Sequence, residues 1–141
     1  MMDNNYYKVM ALDYGDVRIG IAMSDMTRTI ASAYENYNRR DEDSDIAHII
    51  DIAKANSVKL IVMGLPYNMD GTESNQTLKT KAFAELLGAK SGIEIKFQDE
   101  RLTSKLAERM LINADVSRMK RKNVLDKLSA TIILQDYLNQ I

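Results

Sequence analysis

Short runs of consecutive apolar residues alternate with amphipathic stretches along this chain, and the alternation predicts its elements. Tyr7 to Leu12 is apolar at nearly every position after Lys8, so it reads as a central strand buried on both faces. Arg18 to Met23 is the return strand, entered through Gly15-Asp16, a two-residue turn that can take positive φ at its first position. Thr29 to Ala33 completes an antiparallel meander. Asp41-Glu42-Asp43-Ser44 supplies the cap of a helix through Asn56, with Ile46, Ile49, Ile50 and Ala53 at helical spacing. Lys59 to Met63 is a fourth strand, ending at Gly64-Leu65-Pro66. Ser74 or Asn75 caps a second helix to about Lys90, whose apolar set is Leu78, Ala82, Phe83, Leu86 and Leu87. Ile93, Ile95 and Phe97 alternate as a fifth strand that ends at Asp99-Glu100. Thr103 or Ser104 starts a third helix to about Asn113, and Asn123 opens a fourth that runs to the C-terminus.

A three-strand meander followed by alternating helices and strands implies a mixed sheet covered by helices. Right-handed crossovers that keep the first strand central give the strand order 3-2-1-4-5, with strands 1, 4 and 5 parallel. Their C-terminal ends then share one rim, so Asp13, the Gly64 to Pro66 loop and Asp99-Glu100 converge where open α/β sheets bind ligands. The expected fold is a five-stranded α/β architecture of the ribonuclease H-like kind, built as one domain over residues 1–141.

Composition narrows the chemistry. The absence of cysteine excludes disulfides, thiol nucleophiles and thiolate metal sites, and a single histidine, His48, leaves carboxylates as the abundant catalytic groups. His48 sits on a predicted helix and is assigned no role. The nine methionines are scattered among core positions and read as packing. No apolar run reaches the roughly 18 residues of a membrane span, and no signal-peptide pattern opens the chain, so a cytoplasmic protein without a membrane partner is expected. A net charge of -1 gives no global attraction to nucleic acid. Local attraction is available in the run Arg118-Met119-Lys120-Arg121-Lys122, read as a basic loop just ahead of the last helix.

Several carboxylates that converge on one rim suit metal-dependent phosphodiester hydrolysis, in which one or two Mg²⁺ or Mn²⁺ ions are held by acids from different elements. Asp13, Glu100 and Asp126 are the best set, with Asp99 as the alternative to Glu100 because strand parity alone leaves either residue facing the rim. Arg18 and Arg101 are placed to contact a phosphate, and Arg118, Lys120, Arg121 and Lys122 to hold the backbone beside Asp126. Each acid also has a purely structural explanation. Asn123 and Asp126 are spaced as a capping box, Asp99 and Glu100 could pair with Arg101, and Asp13 could accept bonds from turn amides. The free N–H groups ahead of the second helix could bind a phosphate, but Ser74 competes for them.

These residues also carry a family resemblance that covers nearly the whole chain. Leu12-Asp13-Tyr14-Gly15, Arg18-Ile19-Gly20, Ser24-Asp25, Gly64-Leu65-Pro66 with Met69-Asp70-Gly71-Thr72-Glu73, Asp99-Glu100-Arg101-Leu102-Thr103, and Asp126-Lys127-Leu128-Ser129-Ala130 resemble the successive motifs of the YqgF family. That family is the bacterial Holliday junction resolvase-like group, also described as pre-16S rRNA nucleases. The resemblance implies a ribonuclease H-like fold, a cytoplasmic location and metal-dependent hydrolysis of RNA, trimming the 5′ end of the 16S rRNA precursor, with ribosomal precursor particles as partners. It departs from ribonuclease H and RuvC-type resolvases at the end of strand four, where Gly64 stands in place of their second acid. Alternative functions are a Holliday junction resolvase-like DNA endonuclease, a non-catalytic RNA-binding factor of ribosome assembly, and an ATP-binding module.

Overall fold

The structure, a computed structural model, describes residues 6–99 and 118–141, with side chains described only from residue 128 in the second segment. Three strands open the chain: β1 (Lys8–Tyr14), β2 (Arg18–Ser24) and β3 (Ala31–Asn38). Helix α1 (Glu42–Ala55), strand β4 (Val58–Leu65), helix α2 (Asn75–Ser91), strand β5 (Glu94–Asp99) and the long helix α3 (Arg118–Gln140) follow. The sheet order is β3-β2-β1-β4-β5, with β1 antiparallel to β2 and parallel to β4. The expected order 3-2-1-4-5 is the observed one.

The two faces of the sheet hold two separate cores. Met10, Leu12, Ile19, Ile21, Met23, Ile61 and Met63 pack on one face against Ile46, Ile49 and Ile52 of α1 and Phe83, Ala84 and Leu87 of α2. Val9, Ala11, Ala22, Leu60 and Val62 pack on the other against Ala130, Ile133, Leu134 and Leu138 of α3. β1 and β4 therefore bury both faces, as their unbroken apolar runs require, and the alanines at 11 and 22 let α3 lie close to the sheet.

Several boundaries differ from expectation for identifiable reasons. β3 runs to Asn38 rather than ending at Ala33, because its later residues are held by pairing to β2 and not by apolar burial. A register shift at Ile21/Ala22 leaves Tyr34 as a bulge between Glu35, which pairs with Ile21, and Ala33, which pairs with Ala22. On α2 the buried face is Thr77, Thr80, Phe83, Ala84 and Leu87, whereas Leu78 is exposed and Ala82 also faces water. The two threonines can be buried because each is satisfied locally. Thr77 Oγ1 completes a capping box with Ser74 and also donates to the Pro66 carbonyl, and Thr80 Oγ1 donates to the Gln76 carbonyl at 2.8 Å. The helix ends at Gly92, which takes the left-handed conformation at φ 70°.

The last helix begins at Arg118, five residues before the expected Asn123. The basic run 118–122 is thus the opening turns of α3, correcting its reading as a loop. The helix expected from Thr103 or Ser104 to Asn113 lies outside the described residues.

Candidate nucleic-acid and metal site

Asp13 lies within β1, paired with Gly20 of β2, because the antiparallel hairpin continues for two residues past the apolar run. Strand alternation puts Asp13 on the same face as Val9 and Ala11, the face covered by α3. Gly20 pairs with Asn36 on β3, and Gly64 pairs with Gln98 on β5. Gly64 lies one residue beyond the Leu12–Met63 pair, so it flanks Asp13 on the side away from Gly20. A transverse row therefore crosses all five strands: Asn36, Gly20, Asp13, Gly64, Gln98. The two glycines add no side chain to the sheet on either side of the carboxylate, which favours the space a bulky ligand needs beside it.

Asp13, Arg18, Gly20 and Asn36, together with the turn residues Gly15 to Val17, line an open cleft of about 260 Å³. The turn is Gly15-Asp16-Val17, closed by the Gly15 amide donating to the Arg18 carbonyl at 2.9 Å. Gly15 does not need positive φ, contrary to expectation. A Cβ there would stand 2.8 Å from the Arg18 carbonyl oxygen, so close backbone approach is what demands glycine.

The hairpin is clamped from three sides. Gln76 at the start of α2 donates to the Tyr14 carbonyl at 3.0 Å, and the Tyr14 ring packs 4.5 Å from that of Phe83. Arg39 donates through Nη1 to the Gly15 carbonyl at 3.2 Å and through its amide to the Val17 carbonyl at 2.9 Å. Arg39 is itself held by Asp45, fully buried at the start of α1, through Nε at 3.0 Å. Asp45 also accepts from the Tyr37 hydroxyl and the Arg40 amide, each at 2.9 Å. Burial works to raise the Asp45 pKa, but the bonds from the Arg40 amide, Arg39 and Tyr37 outweigh it and hold the carboxyl below its ordinary value.

Other acids are structural. Asp25, at the far end of β2, accepts from Thr27 Oγ1 at 2.6 Å and from the amides of Thr29 and Ile30 at 2.7 and 3.0 Å, which hold its carboxyl well below the usual range. His48 bonds Glu35 at 2.7 Å and stacks on Tyr37, consistent with assigning it no chemistry. The α2 N-terminus is occupied by its own cap, with the Thr77 amide donating to Ser74 Oγ at 3.2 Å.

Asp99 pairs with Leu65 at the end of β5. It alternates with Ile95, which packs on the core of α1 and α2, so its position belongs to the face opposite Asp13. Glu100 and Arg101 lie outside the described residues, as do the side chains of Arg118, Lys120, Arg121, Lys122 and Asp126. Among the described residues no three or more His, Asp or Glu side chains come together as a metal site. The sequence reading missed Asn36 and Arg39, since neither stands in an apolar period or a motif; only strand pairing brings them to the hairpin.

The RuvX family model, described as Holliday junction resolvase, matches residues 7–140. Among curated relatives, the "Putative pre-16S rRNA nuclease" of Clostridioides difficile (strain 630) is 46% identical over 132 residues, covering 94% of each chain. That of Caldanaerobacter subterraneus subsp. tengcongensis is 47% identical over 133 residues, covering 94% of this chain and 96% of its own. Among solved structures, the fold is similar to T. thermophilus RuvC in complex with Holliday junction substrate, with a TM-score of 0.60 at 9% identity over 96% of both chains. The Fowlpox virus Holliday junction resolvase gives a TM-score of 0.56 at 11% identity, covering 95% of this chain and 99% of that one. These likenesses establish the ribonuclease H-like fold, and with the match over 7–140 they show that the chain belongs to the RuvX (YqgF) family and is a nuclease, a hydrolase acting on ester bonds.

Proposed function

We propose that residues 1–141 form one cytoplasmic nuclease domain that hydrolyses RNA with Mg²⁺ or Mn²⁺, processing the 5′ end of the 16S rRNA precursor. The observation that carries the reading is the position of Asp13 between two glycines of the neighbouring strands, in a cleft that Arg18 also lines. Curated relatives named for pre-16S rRNA support the choice of RNA. The RuvX description favours the second reading, junction DNA as substrate.

Asp13, Glu100 and Asp126 would hold the ions, and their carboxylate oxygens are the hard donors these cations take. When bound, the ions activate water and offset charge on the scissile phosphate. Glu100 is preferred to Asp99 as ligand, since Asp99 belongs to the face opposite Asp13. Asp126 stands one helical turn before Ala130, whose face of α3 covers the sheet beside Asp13. Because α3 begins at Arg118, Asn123 is interior to the helix, which removes the capping-box explanation of Asp126. Arg18 contacts the phosphate from the cleft wall, and Gly20 and Gly64 give the phosphate room to approach. Arg101 and the basic start of α3 hold the flanking backbone.

The test is cleavage of RNA with and without divalent cations. Activity should appear only with Mg²⁺ or Mn²⁺, and Asp13→Asn or Asp126→Asn should lower the rate by about 100-fold or more without lowering the melting temperature. Equal cleavage by parent and Asp13→Asn would reject the site, and faster cleavage of junction DNA than of RNA would favour the second reading.

A further inference from the structure

Asn36 carries a polar atom that the fold leaves unused: its Oδ1 is buried and has no hydrogen-bond partner among the described residues. Buried polar atoms are satisfied as a rule, and an orphaned one costs stability, so its retention calls for a reason. The side chain lines the same cleft as Asp13 and Arg18 and stands two strands from Asp13 in the transverse row, about 10 Å away across Gly20. The Tyr34 bulge puts it there. Ala33 pairs with Ala22, which packs on the α3 face, so plain alternation would bring Glu35 to that face; the extra residue shifts the parity and brings Asn36 instead. Bulges are enriched beside active sites for this re-aiming of a side chain.

We infer that Asn36 selects RNA over DNA by accepting a hydrogen bond from a ribose 2′-hydroxyl of the bound strand. The inference rests on the proposed site around Asp13. Its chemistry is restrictive: phosphate and ring oxygens of a nucleic-acid backbone only accept, and the 2′-hydroxyl is the one backbone group that donates, which DNA lacks. The terminal torsion of asparagine is soft, so the carboxamide can turn its oxygen into the cleft when a donor arrives. A ribose neighbouring the scissile phosphate lies within the span between Asp13 and Asn36.

The test crosses a protein change with a substrate change. Binding and cleavage are measured for the parent and Asn36→Ala on one RNA oligonucleotide, its all-DNA counterpart, and a series with a single 2′-deoxynucleotide walked through the cleavage site. Asn36→Ala should lose about fivefold on RNA, the worth of roughly one net hydrogen bond, and nothing on DNA. One deoxy position should cost the parent the same factor and cost Asn36→Ala nothing further. Its melting temperature should equal or exceed that of the parent, because an orphaned acceptor is removed. Equal losses on RNA and DNA, no loss on either, the absence of a coupled deoxy position, or a melting temperature lowered by several degrees overturns the inference. Asp13→Asn on the same substrates separates the two ideas. If it cleaves like the parent, the site itself is misplaced. If it is inactive but the parent cuts only DNA, the site stands and selection by Asn36 falls.

Discussion

At the scale of single residues, the charges that can be followed atom by atom work on geometry. Asp45 is fully buried and makes three bonds, one of which holds Arg39 against the turn that follows Asp13. Removing one partner of a buried pair leaves the other uncompensated, so Asp45→Ala should destabilise the protein by about 3 kcal/mol in urea denaturation. A loss under about 1 kcal/mol would show that water replaces the carboxylate and that the clamp is incidental. The glycines act through what they lack. Gly15 admits a carbonyl oxygen, and Gly20 puts no side chain on the sheet beside Asp13.

Among the elements, α3 joins the two functions assigned to the end of the chain. Its C-terminal half is packed on the sheet through Ile133, Leu134 and Leu138, and Gln135 pins it to β3 by accepting from the Ala31 amide at 2.9 Å. Its first turns contain the basic run, and a helix treats such a run differently from a loop. Positions 118, 121 and 122 share one helical face, while 120 lies away from it. At most three of the four cations can therefore follow one backbone. Replacing all four by alanine, a good helix former, should weaken RNA binding across sequences and flatten the slope of log affinity against log salt by about 2, at roughly 0.7 per lost phosphate contact on single strands. An unchanged slope would mean that this face does not meet the nucleic acid.

Across the whole molecule, acid stability follows from the carboxylates that the fold engages. Asp25, Asp41 and Asp45 are all held below the ordinary aspartate value of 3.8, by bonds from Thr27, the Ser44 amide and the Arg40 amide respectively, with burial opposing them most strongly at Asp45. A depressed native pKa means that the unfolded chain binds protons more readily. The stability these groups contribute is thus complete above the unfolded value and drains away as pH falls through the native ones. Stability should be nearly flat from about pH 7 down to about pH 5 and should decline below about pH 4, read as denaturant midpoints against pH. A midpoint that rose on acidification below pH 4 would contradict these assignments.

By itself the sequence determined the fold class, the strand order and the caps of α1 and α2. These depend on local periodicity and short-range chemistry, and the unbroken runs of β1 and β4 can only be strands buried on both faces. It left open whatever depends on which strands are neighbours. β3 beyond Ala33 is polar and is held by pairing, so no apolar pattern announces it. Leu78 and Ala82 looked like core and face water, because the face α2 presents is chosen by the surface it meets, and two threonines with local partners satisfy that surface as well. The Tyr34 bulge, which puts Asn36 rather than Glu35 on the face of Asp13, exists only in the register between β2 and β3. The row from Asn36 through two glycines to Gln98 likewise brings together five residues that lie between positions 13 and 98 of the chain. Spacing along one strand cannot encode such a row, because hydrogen bonding between strands sets which residues lie side by side.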